Sequence, residues 1–370
     1  MIKTFKYRLY PTRKQTDAIE SQLNSHRFLY NSALEHKISY FKHSGKSISY
    51  NTQAKTLKEI REFDEKLSQC NYSSLQQTLR RLDKAYQSFF RRIKQGDTPG
   101  FPRFKVRDRF STISYGSFGD GCSIKNSKLY LQNIGEIKVN WYRPLQGNIK
   151  TIYVTKKNDR YYACFFLNTL PNIPPKTGKE IGIDVGLEHF LVTSDELYID
   201  PPKYFRKSEL KLKQRQQRLS RRKKGSNRRS KAKHLVAKIH EHIANQRLDF
   251  CHKIARMLVN ENDVIVIEKL QIQNMIKNRH LAKSIADAGW GMFFQILKSK
   301  AEEADKQVIE VNPRGTSQTC SICGNVVKKD LSVRIHDCPN CSSVLNRDHN
   351  AALNILNKAR TELSVLAQTF

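Results

Sequence analysis

The chain has 370 residues and carries 66 lysines and arginines against 34 aspartates and glutamates, a formal net charge of +32. Apolar residues make up 38% of it, which suffices for packed domains, and the length favours two or more of them. We expect neither a membrane span nor a secretory signal, because no run of about 20 apolar residues occurs, and the charge favours nucleic acid over a membrane surface as partner.

The first half of the chain has the pattern of a strand, several helices and then more strands. Phe5, Tyr7 and Leu9 alternate with charged residues before Pro11, which predicts a strand. Helical periodicity follows, most clearly as one apolar stripe at Leu75, Leu79, Leu82, Tyr86, Phe89 and Ile93. Period-two segments then predict strands at 129–131, 137–139, 149–154 and 161–167. In the simplest topology the first strand joins these later strands, and the helices of residues 12–95 are an insertion.

A proline-rich segment at 171–178 separates this half from the second half. There, EIGIDVGLEHFLVTSD predicts a buried strand, a glycine turn and another strand, and DVIVIEKL predicts a further buried strand. Between them we predict one long basic helical region, whose residues 203–238 include 16 lysines and arginines and a single acid. A helix over 290–305, a short strand over 307–311 and a closing helix from about Asp348 complete the chain.

Three acidic residues stand out by position. Asp184 and Glu268 end predicted apolar strands, and Asp348 lies in the first turn of the last helix. Carboxylates at the ends of buried strands are costly without a cation, so together they predict a site for Mg²⁺ or Mn²⁺. Two such ions would activate water and stabilise the leaving oxygen of a phosphodiester. The alternative is three unrelated carboxylates in a cap, a turn and an ion pair.

Four of the eight cysteines form two Cys-x₂-Cys pairs separated by 14 residues, Cys320, Cys323, Cys338 and Cys341. This spacing predicts a zinc ribbon with a structural ion, because four thiolates leave no open position for water. His336 lies in the spacer and is interpreted as a bystander. The other cysteines are isolated, which favours a reducing, intracellular location over a disulfide framework.

Two basic or polar stretches are candidates for nucleic-acid contact. The first is the densest part of the basic region, Arg221, Arg222, Lys223, Lys224, Arg228 and Arg229, whose side chains would contact phosphates. The second is the polar face of the 72–92 helix, where Gln76, Gln77 and Arg80 suit base edges. A solvated helix face explains the second stretch equally well.

These segments together resemble the TnpB family, the RNA-guided DNA nucleases encoded by small bacterial and archaeal transposons and related to type V CRISPR effectors. The matching motifs cover nearly the whole chain in order: SLQQTLRRLDKAYQSFF, TPGFPRFK at 98–105, GIDVGL, IEKL, TSQTCSICG at 316–324 and CPNC with NRDHNAALNIL at 338–356.

The resemblance implies a multidomain α+β fold. A wedge β-barrel would comprise residues 1–11 and 96–176, with a helical recognition lobe inserted at 12–95. An RNase H-like (RuvC) α/β nuclease domain would comprise residues 177–315 and 346–370. A Cys₄ zinc-ribbon insert that binds target nucleic acid would occupy residues 316–345.

The resemblance also implies the chemistry and the partners. Asp184, Glu268 and Asp348 match the catalytic triad and the four cysteines match the zinc ligands. The partners would be a guide RNA from the transposon end and double-stranded target DNA, with base pairing reading the target and the protein reading a short adjacent motif. Tyr72, Gln76, Gln77 and Arg80 are our candidates for reading that motif, and Arg314 is a candidate contact to the scissile strand.

The resemblance further implies a bacterial or archaeal cytoplasmic protein, nucleoid-associated when bound to DNA, acting as a monomer on one RNA. Two other functions are open at this stage. A guided DNA-binding repressor would require loss of a catalytic carboxylate, and all three are present. A transposase would require transposon ends rather than a guide.

Overall fold

The chain divides into two units where the proline-rich segment begins. The computed structural model describes residues 1–171, 173–330 and 333–368, with side chains up to residue 362. The N-terminal unit is Met1–Leu170 and the C-terminal unit is Pro171–Phe370. Each unit has a hydrophobic core of its own, as expected for a chain of this length.

The N-terminal unit contains one antiparallel sheet. Its strands are β1 (Ile2–Tyr10), β2 (Thr112–Tyr115), β3 (Cys122–Lys125), β4 (Lys128–Leu131), β5 (Gly135–Asn140), β6 (Asn148–Lys157) and β7 (Arg160–Asn168). They lie in the order β2-β6-β7-β1-β5-β4-β3. β1 pairs with β7 from Ile2–Asn168 to Leu9–Tyr161, and its end pairs with β5. This confirms the prediction that the first strand joins the later ones.

The edges of this sheet, β2 and β3, do not pair with each other in the described part of the chain. Hydrogen bonding therefore leaves the sheet open rather than closing it into the barrel that the family resemblance implies. Helix α4 (Tyr72–Lys94) binds both edges instead. Its Arg81 donates to the carbonyl oxygen of Thr112 in β2, and Asn71 at its start donates to Asp120 and Gln132, which flank β3 and β4.

Four helices occupy the insertion between β1 and β2, as predicted. They are α1 (Arg13–Ser44), α2 (Tyr50–Phe63), α3 (Glu65–Ser68) and α4. Thr12 starts α1 by accepting from the backbone N–H of Gln15, whose side chain in turn accepts from the N–H of Thr12, a capping box. Gly45 ends it with a φ of 66°.

The apolar stripe of α4 is buried only in its first half. Leu75, Leu79 and Leu82 lie in the core, whereas the side chain of Ile93 is 48% exposed. The predicted apolar stripe is therefore buried from Leu75 to Leu82 and exposed at its end, because the helix is longer than the core beneath it.

The C-terminal unit contains a mixed five-stranded sheet and a two-stranded hairpin. The strands are β8 (Glu180–Asp184), β9 (Leu191–Thr193), β10 (Tyr198–Ile199), β11 (Val264–Glu268), β12 (Gln307–Val311), β13 (Ile335–Asp337) and β14 (Val344–Asn346). The larger sheet has the order β10-β9-β8-β11-β12. β8, β11 and β12 are parallel, and β9 is antiparallel to β8.

Helices cover both faces of this sheet. They are α5 (Tyr204–Ser220), α6 (Asn227–Glu261), α7 (Ile272–Met275), α8 (Ala282–Ala288), α9 (Trp290–Glu303) and α10 (Arg347–Gln368). Ile265 and Ile267 of β11 pack with α6 and α9, while Val266 packs with α10. Strands buried on both sides explain the unbroken apolar runs in the sequence. No helix among the described residues combines the length and apolarity needed to cross a membrane.

The predicted single basic helical region is wrong, since α5 and α6 are separate helices joined by a turn. Gly225 adopts a φ of 84°, which few other residues tolerate, and the Ser226 side chain caps α6 by accepting from the N–H of Arg229. The sequence Gly-Ser therefore interrupts the helix despite the strongly helical pattern on either side.

Candidate functional site

Asp184 and Glu268 lie at one edge of the five-stranded sheet. Asp184 is the last residue of β8, and Glu268 is the last residue of β11. Because β8 and β11 are adjacent and parallel, their carboxyl ends meet at the same edge. Asp348 is the second residue of α10, which packs across β8. The fold thus brings together the three carboxylates that the sequence singled out.

Gly182 allows α10 to lie close to β8. A Cβ at position 182 would lie 2.2 Å from the carbonyl oxygen of Ala352 and 2.9 Å from the Cβ of Leu356. Asp348 is one helical turn before Ala352 and Asp184 is two residues after Gly182, so this contact sets how near the two carboxylates come. This role is not among the predictions from sequence, although a glycine inside a strand is typical of close backbone approach.

Asp184 is affected by the charges of the other two carboxylates. Burial and the negative charges of Glu268 and Asp348 raise the pKa of Asp184 well above its usual range, against the opposing charge of Arg347. Burial also raises the pKa of Glu268, although the hydroxyl of Thr316 donates to its Oε1 at 2.6 Å. Three acidic groups at one edge favour a bound cation, and carboxylate oxygens are the ligands that Mg²⁺ and Mn²⁺ prefer.

Arg334, which precedes β13, also approaches this edge. Its Nε lies 2.8 Å from Glu188, and its guanidinium lies 3.7 Å from the Oδ2 of Asp348. Both pairs are largely solvent-exposed on the arginine side, so they contribute little to stability. Arg334 is not among the residues predicted from sequence, because the fold and not the chain order brings it to Asp348.

The cysteine quartet forms a candidate metal centre. The four Sγ atoms of Cys320, Cys323, Cys338 and Cys341 lie within 4.8 Å of one another, and among the described residues this is the only group of three or more possible ligands gathered so that one ion could bind. Four sulfur donors in this arrangement are typical of zinc. The charges of Glu268 and Asp348 act on Asp184, but the three carboxylates are not gathered to the same degree.

Each Cys-x₂-Cys pair is shaped by a matching turn. The N–H of Gly324 donates to the carbonyl of Cys320 at 3.0 Å, and the N–H of Ser342 donates to that of Cys338 at 2.8 Å. Gly324 and Ser342 both have positive φ, 76° and 54°. The two turns therefore aim both cysteines of each pair at a common point.

Hydrogen bonds around the quartet favour the thiolate form of Cys320 and Cys323. Desolvation opposes ionisation of Cys320, but a side-chain bond from Ser343 and backbone amides outweigh it and lower the pKa to about 5. Thiolate is the form that binds metal. His336 is fully buried beside the quartet, with its Nδ1 in contact with the ammonium of Lys329, and it is not among the grouped ligands.

The four candidate motif-reading residues lie in the first turns of α4. The side chains of Tyr72, Gln76 and Gln77 are half-buried, and that of Arg80 is exposed. Arg80 donates from its Nε to the hydroxyl of Tyr50 at 3.1 Å. The Tyr72 ring lies 5.3 Å from the Arg61 guanidinium. Tyr72 and Arg80 therefore already have partners within the N-terminal unit.

The six basic candidates lie at the turn between α5 and α6. Arg221, Arg222, Lys223 and Lys224 are in the turn itself, and Arg228 is exposed in the first turn of α6. Arg229 differs, because its guanidinium donates to the carbonyl oxygens of Leu219 and Arg222 at 2.8 and 3.0 Å.

Arg314 is exposed in the loop after β12. Arg229, which stabilises the turn, cannot be distinguished by sequence pattern from the exposed arginines around it.

Three family models match the chain. One described as "Probable transposase" matches residues 154–279. One described as "Cas12f1-like, TNB domain" matches residues 290–355, and one described as "Helix-turn-helix domain" matches residues 1–46. The first two models cover the strands, helices and cysteines of the candidate sites.

Curated relatives match the chain over nearly its full length. It is 32% identical over 362 residues to a "Putative RNA-guided DNA endonuclease" of Streptomyces pristinaespiralis, with 96% of this chain and 88% of the relative covered. It is 30% identical over 374 residues to the "Putative RNA-guided DNA endonuclease InsQ" of Escherichia coli strain K12, with 96% and 92% covered. A "TnpB-like protein L79" of Acanthamoeba polyphaga mimivirus is 30% identical over 240 residues, 59% of this chain and 45% of the relative. The resemblance noted from the motifs is confirmed, and the chain belongs to the TnpB family.

Proposed function

We propose that the chain is an RNA-guided, metal-dependent DNA endonuclease that reads a short motif beside its target and hydrolyses phosphodiester bonds in double-stranded DNA. The observation that carries the proposal is the meeting of Asp184, Glu268 and Asp348 at one sheet edge. It is supported by the family relatives, two of which bear the name of RNA-guided DNA endonuclease.

The nuclease domain in this proposal is RuvC-like and comprises residues 177–315 and 346–370. The strand order β10-β9-β8-β11-β12, with β9 alone antiparallel to its parallel neighbours, supports an RNase H-like fold. Asp184, Glu268 and Asp348 would hold Mg²⁺ or Mn²⁺ and orient the ions against the scissile phosphate. When bound, two such ions would activate water and stabilise the leaving oxygen.

The other regions would hold and read nucleic acid. The insert at 316–345, with a structural zinc on its four cysteines, would bind the target strand. Residues 1–11 and 96–176 would form the wedge domain, and residues 12–95 the recognition lobe, with Tyr72, Gln76, Gln77 and Arg80 reading the adjacent motif. The net charge of +32 supports binding to two polyanions, the guide RNA and the target DNA. One protein molecule would bind one RNA.

The exposed basic turn between α5 and α6 is proposed to contact phosphates. Arg221, Arg222, Lys223 and Lys224 project from a turn with no acidic residue in its sequence. Arg228 is exposed beside them, whereas Arg229 serves the turn itself. Arg314 is the candidate contact to the cleaved strand.

The direct test is guided cleavage. Protein copurified with its RNA would be incubated with a plasmid library that carries the RNA-matched target beside a randomised flank, and cleaved and intact plasmids would be sequenced. We expect Mg²⁺-dependent cutting that selects one flanking motif. Asp184→Ala should reduce the cutting rate by more than about 100-fold, beyond the usual loss for a residue that only supports a ligand, while guided binding persists. Cutting that continues without the RNA, or in Asp184→Ala, would refute the proposal.

A further inference from the structure

Helix α10 presents three polar side chains at a spacing of four residues, Asn350, Asn354 and Lys358. This spacing places them on one face of the helix. Asn350 is fully buried and the side chain of Asn354 is 7% exposed. All three bind the segment of residues 312–321, which joins the end of β12 to the first cysteine pair and is called the connector below.

The contacts run along the connector in order. Lys358 Nζ donates to the carbonyl oxygens of Asn312 and Arg314 at 3.1 and 2.5 Å. Asn354 Nδ2 donates to the carbonyl oxygens of Thr316 and Thr319 at 2.8 and 2.6 Å. Asn350 Nδ2 donates to the carbonyl oxygen of Thr319 at 2.8 Å, and Asn350 Oδ1 accepts from the N–H of Ser321 at 2.9 Å. A loop with no regular structure thereby has its backbone held from Asn312 to Ser321.

Thr316 is the side chain of the connector that reaches the carboxylate edge. It is 3% exposed, and its hydroxyl lies 2.6 Å from Glu268 Oε1 and 3.0 Å from the carbonyl oxygen of Pro313. A hydroxyl has one proton to donate. The shorter bond to an ionised acceptor is the stronger of the two. We therefore take the Thr316 hydroxyl to donate its proton to the Glu268 carboxylate, and its contact with the carbonyl oxygen of Pro313 to be the weaker interaction.

We propose that Thr316 is a positioning residue that fixes the Glu268 side chain for divalent-metal binding, and that Asn354 holds Thr316 in place for this purpose. The proposal rests on the function proposed above for Glu268. A glutamate has several rotatable bonds, and ordering a long side chain costs conformational entropy. A hydrogen bond that orders it in advance removes this cost from metal binding. Partners that orient a metal ligand are typically worth 10–100-fold in affinity or activity.

A merely structural role for the connector predicts something else. In that case removing the Thr316 hydroxyl would lower thermal stability and leave metal affinity unchanged. The two roles are separated by two substitutions. Thr316→Val removes the hydroxyl and keeps the shape, and Thr316→Ser keeps the hydroxyl and removes the methyl group.

The experiment measures Mn²⁺ binding by electron paramagnetic resonance on the protein–RNA complex. The Asp184→Ala complex measures the background, which is the Mn²⁺ bound at other places, including the RNA. Subtracting it leaves the Asp184-dependent binding. We expect Thr316→Val to weaken the Asp184-dependent Mn²⁺ binding about 10-fold and to raise by a similar factor the Mg²⁺ concentration that half-saturates cleavage. Thr316→Ser should lie within about twofold of the unsubstituted protein.

Asn354→Asp has nearly the same shape as asparagine but cannot donate to the two carbonyls. We expect it to weaken Mn²⁺ binding in the same direction as Thr316→Val. Asn357→Asp is the matched control, since Asn357 is exposed on the same helix and the chemical change is identical. It should leave Mn²⁺ binding unchanged.

The inference is overturned if Thr316→Val binds Mn²⁺ as tightly as the unsubstituted protein, or if Thr316→Ser is equally defective. If Asn354→Asp fails to fold, the two threonine variants still decide the question. If the unsubstituted complex cuts no guided DNA, the proposed function fails, and the Mn²⁺ comparison remains as an independent measure of what Thr316 does.

Discussion

Each unit contains a buried ionisable group, and the surroundings of the two groups differ. In the N-terminal unit, the fully buried ring of His26 contacts the hydroxyls of Thr78 and Ser74 at 2.8 and 3.3 Å, so its partners are neutral and belong to the same unit. In the C-terminal unit, Asp184 faces two further carboxylates. The first arrangement is complete within the protein, whereas in the second the charge of Arg347 opposes the rise in the pKa of Asp184 without cancelling it.

This difference separates groups that stabilise the fold from groups that serve a function. A buried polar network with all bonds made fixes a unique core. Acidic side chains held together against their own repulsion, like four thiols gathered around one point, are typical of sites that bind something. We therefore expect the C-terminal unit to depend on added ions and the N-terminal unit to depend on its own contacts.

Metal removal should give the largest contrast. Cys338→Ser, or treatment with a strong zinc chelator, should release the metal and expose the amides of residues 320–346 to hydrogen exchange, because a structural zinc site contributes on the order of 10 kcal/mol. Amides of the N-terminal unit should keep their protection. Metal analysis and exchange mass spectrometry measure both effects. The control is Cys164→Ser, which replaces a half-buried cysteine of β7 and should retain the metal. If hydrogen exchange at residues 320–346 is unchanged in metal-free protein, the expectation is wrong.

Gly182→Ala should be the next largest effect. The new methyl group would lie 2.2 Å from the carbonyl oxygen of Ala352, so α10 must shift away from β8, at a cost of about 1–3 kcal/mol or more. Cleavage should fall as well, because Asp348 moves with α10. Gly291→Ala is the matched control, since its Cβ would meet only Ile272 at 3.6 Å and alanine favours a helix. Thermal unfolding that ranks the two variants equally would refute the packing argument.

Acidification should test the N-terminal unit. Desolvation, aided by the charge of Arg81, lowers the pKa of His26 to about 3. The unfolded chain therefore takes up a proton below about pH 6.5 that the folded unit refuses, and the free energy of unfolding should fall by about 1.4 kcal/mol per pH unit as pH decreases from there towards 3.

The control for this effect is His26→Asn, which cannot titrate. It should be less stable than the unsubstituted protein at pH 8 and should show a smaller decline between pH 6 and 4. Denaturant unfolding at pH 6 and pH 4 gives the change in the free energy of unfolding with pH for each protein. The difference between the two proteins removes the contribution of the carboxylates, which both proteins share. Parallel slopes would mean that His26 is not neutral in the folded unit.

The smallest effect should come from the start of α1. Thr12→Ala removes the acceptor for the N–H of Gln15, and loss of such a cap costs about 1 kcal/mol. Thr12→Ser keeps the acceptor and should restore most of that loss. Both are measured as shifts in the midpoint of unfolding of the N-terminal unit. A Thr12→Ser variant as unstable as Thr12→Ala would show that the methyl group, and not the hydrogen bond, matters at this position.

The sequence predicts features that local pattern determines. Alternation predicts β1, apolar runs predict β8 and β11 with Asp184 and Glu268 at their ends, and the spacing of the cysteines predicts the quartet. Each of these depends on residues close together in the chain or on the parallel arrangement that buried runs imply.

Features that depend on which groups meet across the fold were not predictable. Thr316 is one of many loop threonines in the sequence, and only the path of the connector brings it to Glu268. The break between α5 and α6 was hidden by strong helical patterns on both sides of Gly225. The end of the buried stripe at Ile93 depends on how far the core extends, which periodicity alone does not encode.

The central position of β1 has a consequence for synthesis of the protein. Ile2 pairs with Asn168, almost the whole length of the N-terminal unit away. At the usual 5–20 residues per second, β1 leaves the ribosome roughly ten seconds before its partner β7 exists. During that interval its core-facing side chains, Phe5, Tyr7 and Leu9, have no sheet to join. Non-local pairing of this kind slows folding, so nascent chains should be substrates for ribosome-associated chaperones until residue 168 has emerged.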